Sequence, residues 1–214
     1  MTRITIHKLP SALGDVGIIA RLKPLHNAHA VLLELLCRQA KHVYIGLGSC
    51  NRYNAQNPFT AKESADMVNL VLKPKHANYS FIEVPDFDNG HVWREQVKKL
   101  FGKLDCFITG NDYVEQLLKK DYNIFHPHTI LPPENRIALN ATIVRTAIAC
   151  GKPWERLVPK KVAEYIKQNK LDKRFVGEFG HHYANIAAAY AMKGCSSASF
   201  TADFSSPSLL PATL

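Results

Sequence analysis

The chain has 214 residues, 46% hydrophobic and 21% charged, which is ordinary for a globular protein and enough to bury a sizeable core. Lys and Arg number 27 against 18 Asp and Glu, a net charge of +9 that suits an anionic ligand; the basic residues are scattered rather than blocked, which favours small phosphates over nucleic acid. No stretch approaches the ~20 apolar residues of a membrane span, and Met1–Lys8 has no apolar leader core, so no membrane association is expected.

In chain order, Val16-Gly-Ile-Ile-Ala20 is short, apolar and β-branched, as a buried parallel strand should be, and Ala30–Leu36 is a leucine-rich amphipathic helix. His42–Gly48 is a second strand. Thr60-Ala-Lys-Glu63 is a capping box that opens a helix running to about Leu72. Tyr79–Pro85 is a third strand and Val92–Leu100 a helix with Trp93, Val97 and Leu100 at helical spacing. Asp105–Thr109 is a fourth strand, Tyr113–Lys119 a helix, and Asn123–His126 a short fifth strand. Helices follow over Thr142–Ala149 and from Pro159, placed in the first turn, to Gln168. Phe175-Val-Gly-Glu-Phe-Gly-His-His182 reads as a loop, Tyr183–Met192 as an Ala-rich helix, and residues 194–214, rich in Ser, Ala and Pro, as a flexible tail.

This alternation predicts a doubly wound, Rossmann-like parallel α/β sheet of five strands with C-terminal helices. The expected division is a main domain over residues 1–170, a helical extension over 171–193 and the tail. In such sheets ligands bind at the carboxyl ends of the strands near the switch point, so the chemistry belongs in the loops after the first four strands. His26 and His29 lie in the first of these loops, where a strand turns into a helix. A helix N-terminus offers unpaired N–H groups and partial positive charge, and two imidazoles three residues apart can face one ligand there. This is a site for polyphosphate, hence for a nucleotide. Thr or Asn at 140–142 can cap another helix with Arg145 on its first turn, a second phosphate clamp. The five cysteines, at 37, 50, 106, 150 and 195, form no CxxC pair; Cys37 and Cys106 fall in apolar runs, and a reducing, cytoplasmic location is expected. There is no metal-ligand cluster and no phosphate loop of the G-x-x-x-x-G-K kind.

Ala20-Arg-Leu-Lys-Pro-Leu-His-Asn-Ala-His29 resembles the G-R-F-x-P-[FL]-H-x-G-H string of archaeal-type nicotinamide-nucleotide adenylyltransferases, members of the HxGH nucleotidyltransferase superfamily. Arg21, Pro24, His26 and His29 match; Ala20 and Ala28 stand where the family has glycine, and Leu22 where it has Phe. Further matching segments are Gly48-Ser49 with Asn57-Pro-Phe-Thr60, Asn89 with Trp93, Thr109-Gly-Asn-Asp112, Arg136, Asn140–Arg145 against Y-S-G-T-x-[IV]-R, and Gly151–Ile166. Their order is the family's, and the resemblance covers about Val16 to Gln168.

The resemblance implies adenylyl transfer from ATP to nicotinamide mononucleotide, giving NAD and pyrophosphate, with Mg²⁺ arriving on ATP and no metal held by the protein. It implies ATP binding by Ala20, Arg21, Leu22, His26, His29, Gly110, Arg136, Thr142 and Arg145, with His26, His29 and Arg145 catalytic. Ser49, Asn89, Trp93 and Asn111 are the implied nicotinamide contacts; read alone, Trp93 is a core residue of its helix, and Asn89 at the family spacing shifts the reading to nicotinamide. Two alternatives stay open: transfer of an adenylyl or cytidylyl group to another phosphorylated acceptor, and a weakened nucleotide-binding protein, for which Ala20, Ala28 and Ala141 are the support. Oligomeric state and the choice between nicotinamide and nicotinate forms are open at this level.

Overall fold

A computed structural model describes residues 13–192. Strands β1 (Leu13–Ala20), β2 (Ala40–Gly48), β3 (Tyr79–Val84), β4 (Cys106–Ile108) and β5 (Ile124–Phe125) form one five-stranded sheet. Its order is β3-β2-β1-β4-β5 and every pairing is parallel. The order reverses between β1 and β4, where Val16–Ile18 pair with Cys106–Ile108, so the carboxyl ends of these two strands flank the switch point. The expected five-stranded parallel α/β sheet is present, and β1 begins three residues earlier than the apolar run indicates.

The helices are α1 (Asn27–Gln39), α2 (Ala61–Leu72), α3 (Gly90–Phe101), α4 (Asp112–Leu118), α5 (Pro127–Ile130), α6 (Ala141–Ala149), α7 (Lys160–Gln168) and α8 (Leu171–Met192). Two apolar clusters cover the two faces of the sheet. The larger joins β1 and β2 to α1, α2 and α6–α8 through Leu32, Leu36, Ile45, Met67, Val144, Val162 and Phe175. The smaller joins it to α3 and α4 through Val84, Val97, Phe101, Phe107 and Leu118. Burial on both faces is why the central strands read as continuous apolar runs rather than alternating ones.

Polar side chains start most of the helices. Thr60 and Glu63 close the capping box of α2 in both directions. Asn89, Asn111 and Asn140 cap α3, α4 and α6 with their side-chain oxygens.

One segment departs from the sequence reading. Phe175–His182 is not a loop: α8 runs unbroken from Leu171 to Met192. Gly177 and Gly180 each cost a helix about 1 kcal/mol relative to Ala, which is what a local reading registers. Leu171, Phe175, Phe179 and Tyr183, four residues apart, pack on the larger cluster and outweigh that cost. Arg174, on the same helix, pairs with Glu63 at 2.6 Å and donates to the Pro58 carbonyl at 2.9 Å, fixing α8 to the start of α2. The proposed tail, 194–214, and Cys195 lie outside the described residues.

The tightness of the sheet can be tested at Gly46. A Cβ there would stand 2.7 Å from Ile19 Cγ1 and 2.9 Å from Phe101 Cζ. Gly46→Ala should destabilise the protein by about 1–3 kcal/mol, read as a lower urea midpoint with unchanged slope.

Candidate active site

The loop after β1 is built around buried backbone and buried charge. Leu22 adopts a left-handed backbone (φ 54°), and Ser64 of α2 donates to its carbonyl at 3.2 Å. Lys23 is 1% exposed and donates from Nζ to the Ser49 carbonyl at 2.8 Å, tying this loop to the one after β2. Ser49 is itself left-handed (φ 54°). Desolvation lowers the Lys23 ammonium to about 8, against the pull of Asp86.

His26 caps α1: its Nδ1 accepts from the His29 N–H at 3.4 Å. That leaves the ring proton on Nε2, free to be donated to a ligand. The His29 ring stacks on it, centroids 3.9 Å apart and planes 23° from parallel. Burial drives both pKa values down, with His29 and Arg145 adding repulsion at His26, which falls well below the ordinary range; His29 falls to about 4. At neutral pH both rings are therefore uncharged donors. The Nδ1 of His29 is sealed from solvent without a hydrogen-bond partner among the described residues. No acidic residue occupies the first turn of α1, so nothing there competes with an anion.

Arg145, on α6, reaches the same loop. It is 4% exposed and donates to Tyr183 Oη (2.6 Å), the Lys23 carbonyl (2.8 Å) and Thr142 Oγ1 (3.1 Å). All three acceptors are neutral, and no carboxylate pairs with it among the described residues. Desolvation lowers its pKa, opposed by Tyr183, yet a guanidinium stays charged. A buried cation without a counterion is costly unless an anion completes it.

On the other side of the switch point, Gly110 follows β4 so closely that a Cβ would lie 3.2 Å from His126 Nε2. Asn111 and Asn89 spend their Oδ1 atoms on the first turns of α4 and α3, leaving amide N–H groups to offer. These two helix starts lie together, because a Cβ on Gly90 would run into the Tyr113 hydroxyl. The loop after β2 is tied to the one after β3 by Asn51 with Asp86 and by Arg52 with Asp88 at 2.9 Å. Trp93 is partly buried against the smaller cluster, so the core reading of this residue holds for part of its surface.

Of the anticipated residues, His26, His29, Thr142 and Arg145 come together, with Ala20 and Leu22 in the adjoining chain. Arg21 is exposed, near enough to Lys23 and Arg145 to depress both. Arg136 stands apart in its contacts: it is exposed and donates to the His128 carbonyl of α5 and the Leu131 carbonyl that follows it. Lys23 and Tyr183 were not anticipated. Lys23 left a signal, a charged residue flanked by Leu22, Pro24 and Leu25; Tyr183 left only its place in the four-residue stripe of α8.

Among the described residues there is no group of three or more His, Cys, Asp or Glu that could hold a metal ion.

Residues 22–198 match the model of the cytidylyltransferase-like family, so the chain is a nucleotidyltransferase. The chain is 34% identical over 156 residues to the nicotinamide-nucleotide adenylyltransferase of Thermococcus onnurineus, covering 71% of this chain and 81% of that one. With the enzyme of the same name from Methanococcus maripaludis it shares 31% over 153 residues, covering 71% and 87%. The chain belongs to the nicotinamide-nucleotide adenylyltransferase family. In fold it is similar to a bifunctional NMN adenylyltransferase/ADP ribose pyrophosphatase from Francisella tularensis, solved with AMP and a manganese ion (TM-score 0.65, 15% identity). That match covers 85% of this chain and 56% of the other.

The depressed pKa of His29 has a measurable consequence. Unfolded, the ring takes up a proton near 6.5; folded, not until about 4. Between these values the unfolded state binds more protons, so stability present above 6.5 is lost as pH falls toward 4. His29→Asn should flatten that part of the stability–pH curve measured by urea denaturation.

Proposed function

We propose that this cleft transfers the adenylyl group of ATP to nicotinamide mononucleotide, giving NAD and pyrophosphate. The carrying observation is the pair of stacked, uncharged histidines at the start of α1 beside the uncompensated Arg145 guanidinium. A phosphate oxygen of the mononucleotide attacks the α-phosphorus of ATP, and the bond to the β-phosphate oxygen breaks. With a second pKa of ~6 the attacking phosphate is already anionic, so no general base is needed. Catalysis consists of aligning two anions and stabilising charge on the α-phosphate and the leaving pyrophosphate.

In this reading the Nε2–H groups of His26 and His29 donate to the phosphates, and neutral rings do so without holding the product by net charge. Arg145 and Thr142 face the β- and γ-phosphates, with Arg21 and Lys23 adding positive potential. Arg136 joins only if it releases the two carbonyls it now holds. Ala20, Leu22 and Gly110 supply backbone beside the nucleotide. Asn89, Asn111 and Ser49 bound the nicotinamide end, and the exposed part of Trp93 offers an aromatic face to the cationic ring, worth ~0.5–2 kcal/mol. Mg²⁺ enters as part of the ATP substrate and keeps several waters. We place the enzyme in the cytoplasm, in keeping with Cys37 and Cys106, buried thiols raised by desolvation to about 11 and so unreactive.

Pyrophosphate release with ATP and a panel of acceptor phosphates tests the reading: nicotinamide mononucleotide should be preferred, and preference for another acceptor would refute it. Trp93→Ala should raise the KM for nicotinamide mononucleotide far more than that for ATP; equal effects would return Trp93 to the core. His29→Ala should lower kcat by ~10²–10³ with a small change in melting temperature. A kcat within a few-fold of the parent, with ATP still bound, would remove this residue from the chemistry.

A further inference from the structure

Among the described residues the buried cation of the site has a partner outside both signature segments. The Tyr183 side chain, 1% exposed, lies with its hydroxyl between two groups: it accepts from Arg145 Nε at 2.6 Å and donates to the Ala55 carbonyl at 2.8 Å. Its ring also lies beside the guanidinium, 5.4 Å from centroid to Cζ. The single hydroxyl proton is used on Ala55, so a lone pair must face Arg145, which fixes the direction of the contact. A carboxylate in this place would hold the guanidinium as firmly but cancel its charge. A phenol fixes the orientation and leaves the full charge for a ligand.

We infer that Tyr183 is a positioning residue for Arg145: its neutral hydroxyl aims the guanidinium at the polyphosphate and couples it to the loop after β2. This rests on the assignment of Arg145 to the phosphates in the proposed reaction. Several observations besides the contact itself carry it. Three neutral acceptors, from α8, the loop after β1 and α6, converge on Arg145. The Ala55 carbonyl belongs to the loop that also supplies Ser49 to Lys23, so the hydroxyl joins both cationic groups of the site. The ring rests on Phe175, which anchors α8 in the core independently of the hydroxyl.

The test uses the full chain. Tyr183→Phe keeps the ring and removes the hydroxyl; Phe175→Leu loosens the packing of α8 and keeps it. Kinetics with ATP and nicotinamide mononucleotide, the reverse reaction with NAD and pyrophosphate, calorimetric binding of inorganic tripolyphosphate and thermal melting are compared. Tyr183→Phe should lower kcat/KM for ATP and raise the KM for pyrophosphate by ~10–100-fold, the range for a hydrogen bond to a charged group, with the KM for nicotinamide mononucleotide unchanged. Tripolyphosphate binding should weaken by a similar factor. Phe175→Leu should melt earlier with kinetic constants near the parent's. Unchanged tripolyphosphate binding in Tyr183→Phe, an equal effect on both substrates, or the same kinetic loss in Phe175→Leu overturns the inference. If the parent binds tripolyphosphate, Tyr183→Phe binds it more weakly, and neither makes NAD, the reaction assigned above fails while the role of Tyr183 stands.

Discussion

A charged guanidinium buried among neutral acceptors is the constraint around which the site is arranged. Removing Arg145 from water is unfavourable, and its hydrogen bonds to Tyr183, Thr142 and the Lys23 carbonyl repay only part of that cost. The contacts that hold it come from α6, α8 and the loop after β1, elements that meet only when the larger core is assembled. The same desolvation acts on His26, His29 and Lys23, lowering the pKa of each. A single physical condition, exclusion of water beneath the switch point, thus yields two neutral donors and two strained cations.

The architecture was legible wherever local chemistry and tertiary packing agree. β1 and β2 are apolar on both faces because both faces are covered. Thr60 with Glu63 is a capping box in the sequence and in the fold. The loop histidines were legible because helix N-termini are general anion sites, independent of the rest of the chain. Tyr183–Met192 was legible as helix, but the first half of α8 was not, since its two glycines oppose helix locally and only Leu171, Phe175 and Tyr183, packed against other elements, decide the outcome. Lys23 and Tyr183 escaped for the same reason. Their importance lies in partners 26 to 128 residues away, Ser49 and Ala55 among them, and no spacing rule links such positions.

The capping asparagines show how one side chain can meet a local and a functional demand together. Asn89 and Asn111 each spend the carbonyl oxygen on two backbone N–H groups, which fixes the amide plane and turns the remaining N–H groups outward. An aspartate would cap as well but would add negative charge to a cleft that must accept anions.

Glu63 carries a consequence of another kind. Its Oε2 receives both the Thr60 N–H that begins α2 and an N–H of Arg174, while Oε1 takes a second N–H of Arg174. Glu63 of α2 and Arg174 of α8, 111 residues apart in sequence, therefore tie the two helices through one carboxylate. Since α8 is also where Tyr183 sits, the edge of the nucleotide cleft is hung from a carboxylate that never meets a nucleotide. Variation at this position would be transmitted as misalignment of an arginine on a different helix, so a clinician or engineer who sorts substitutions by distance from the ligand would misjudge it.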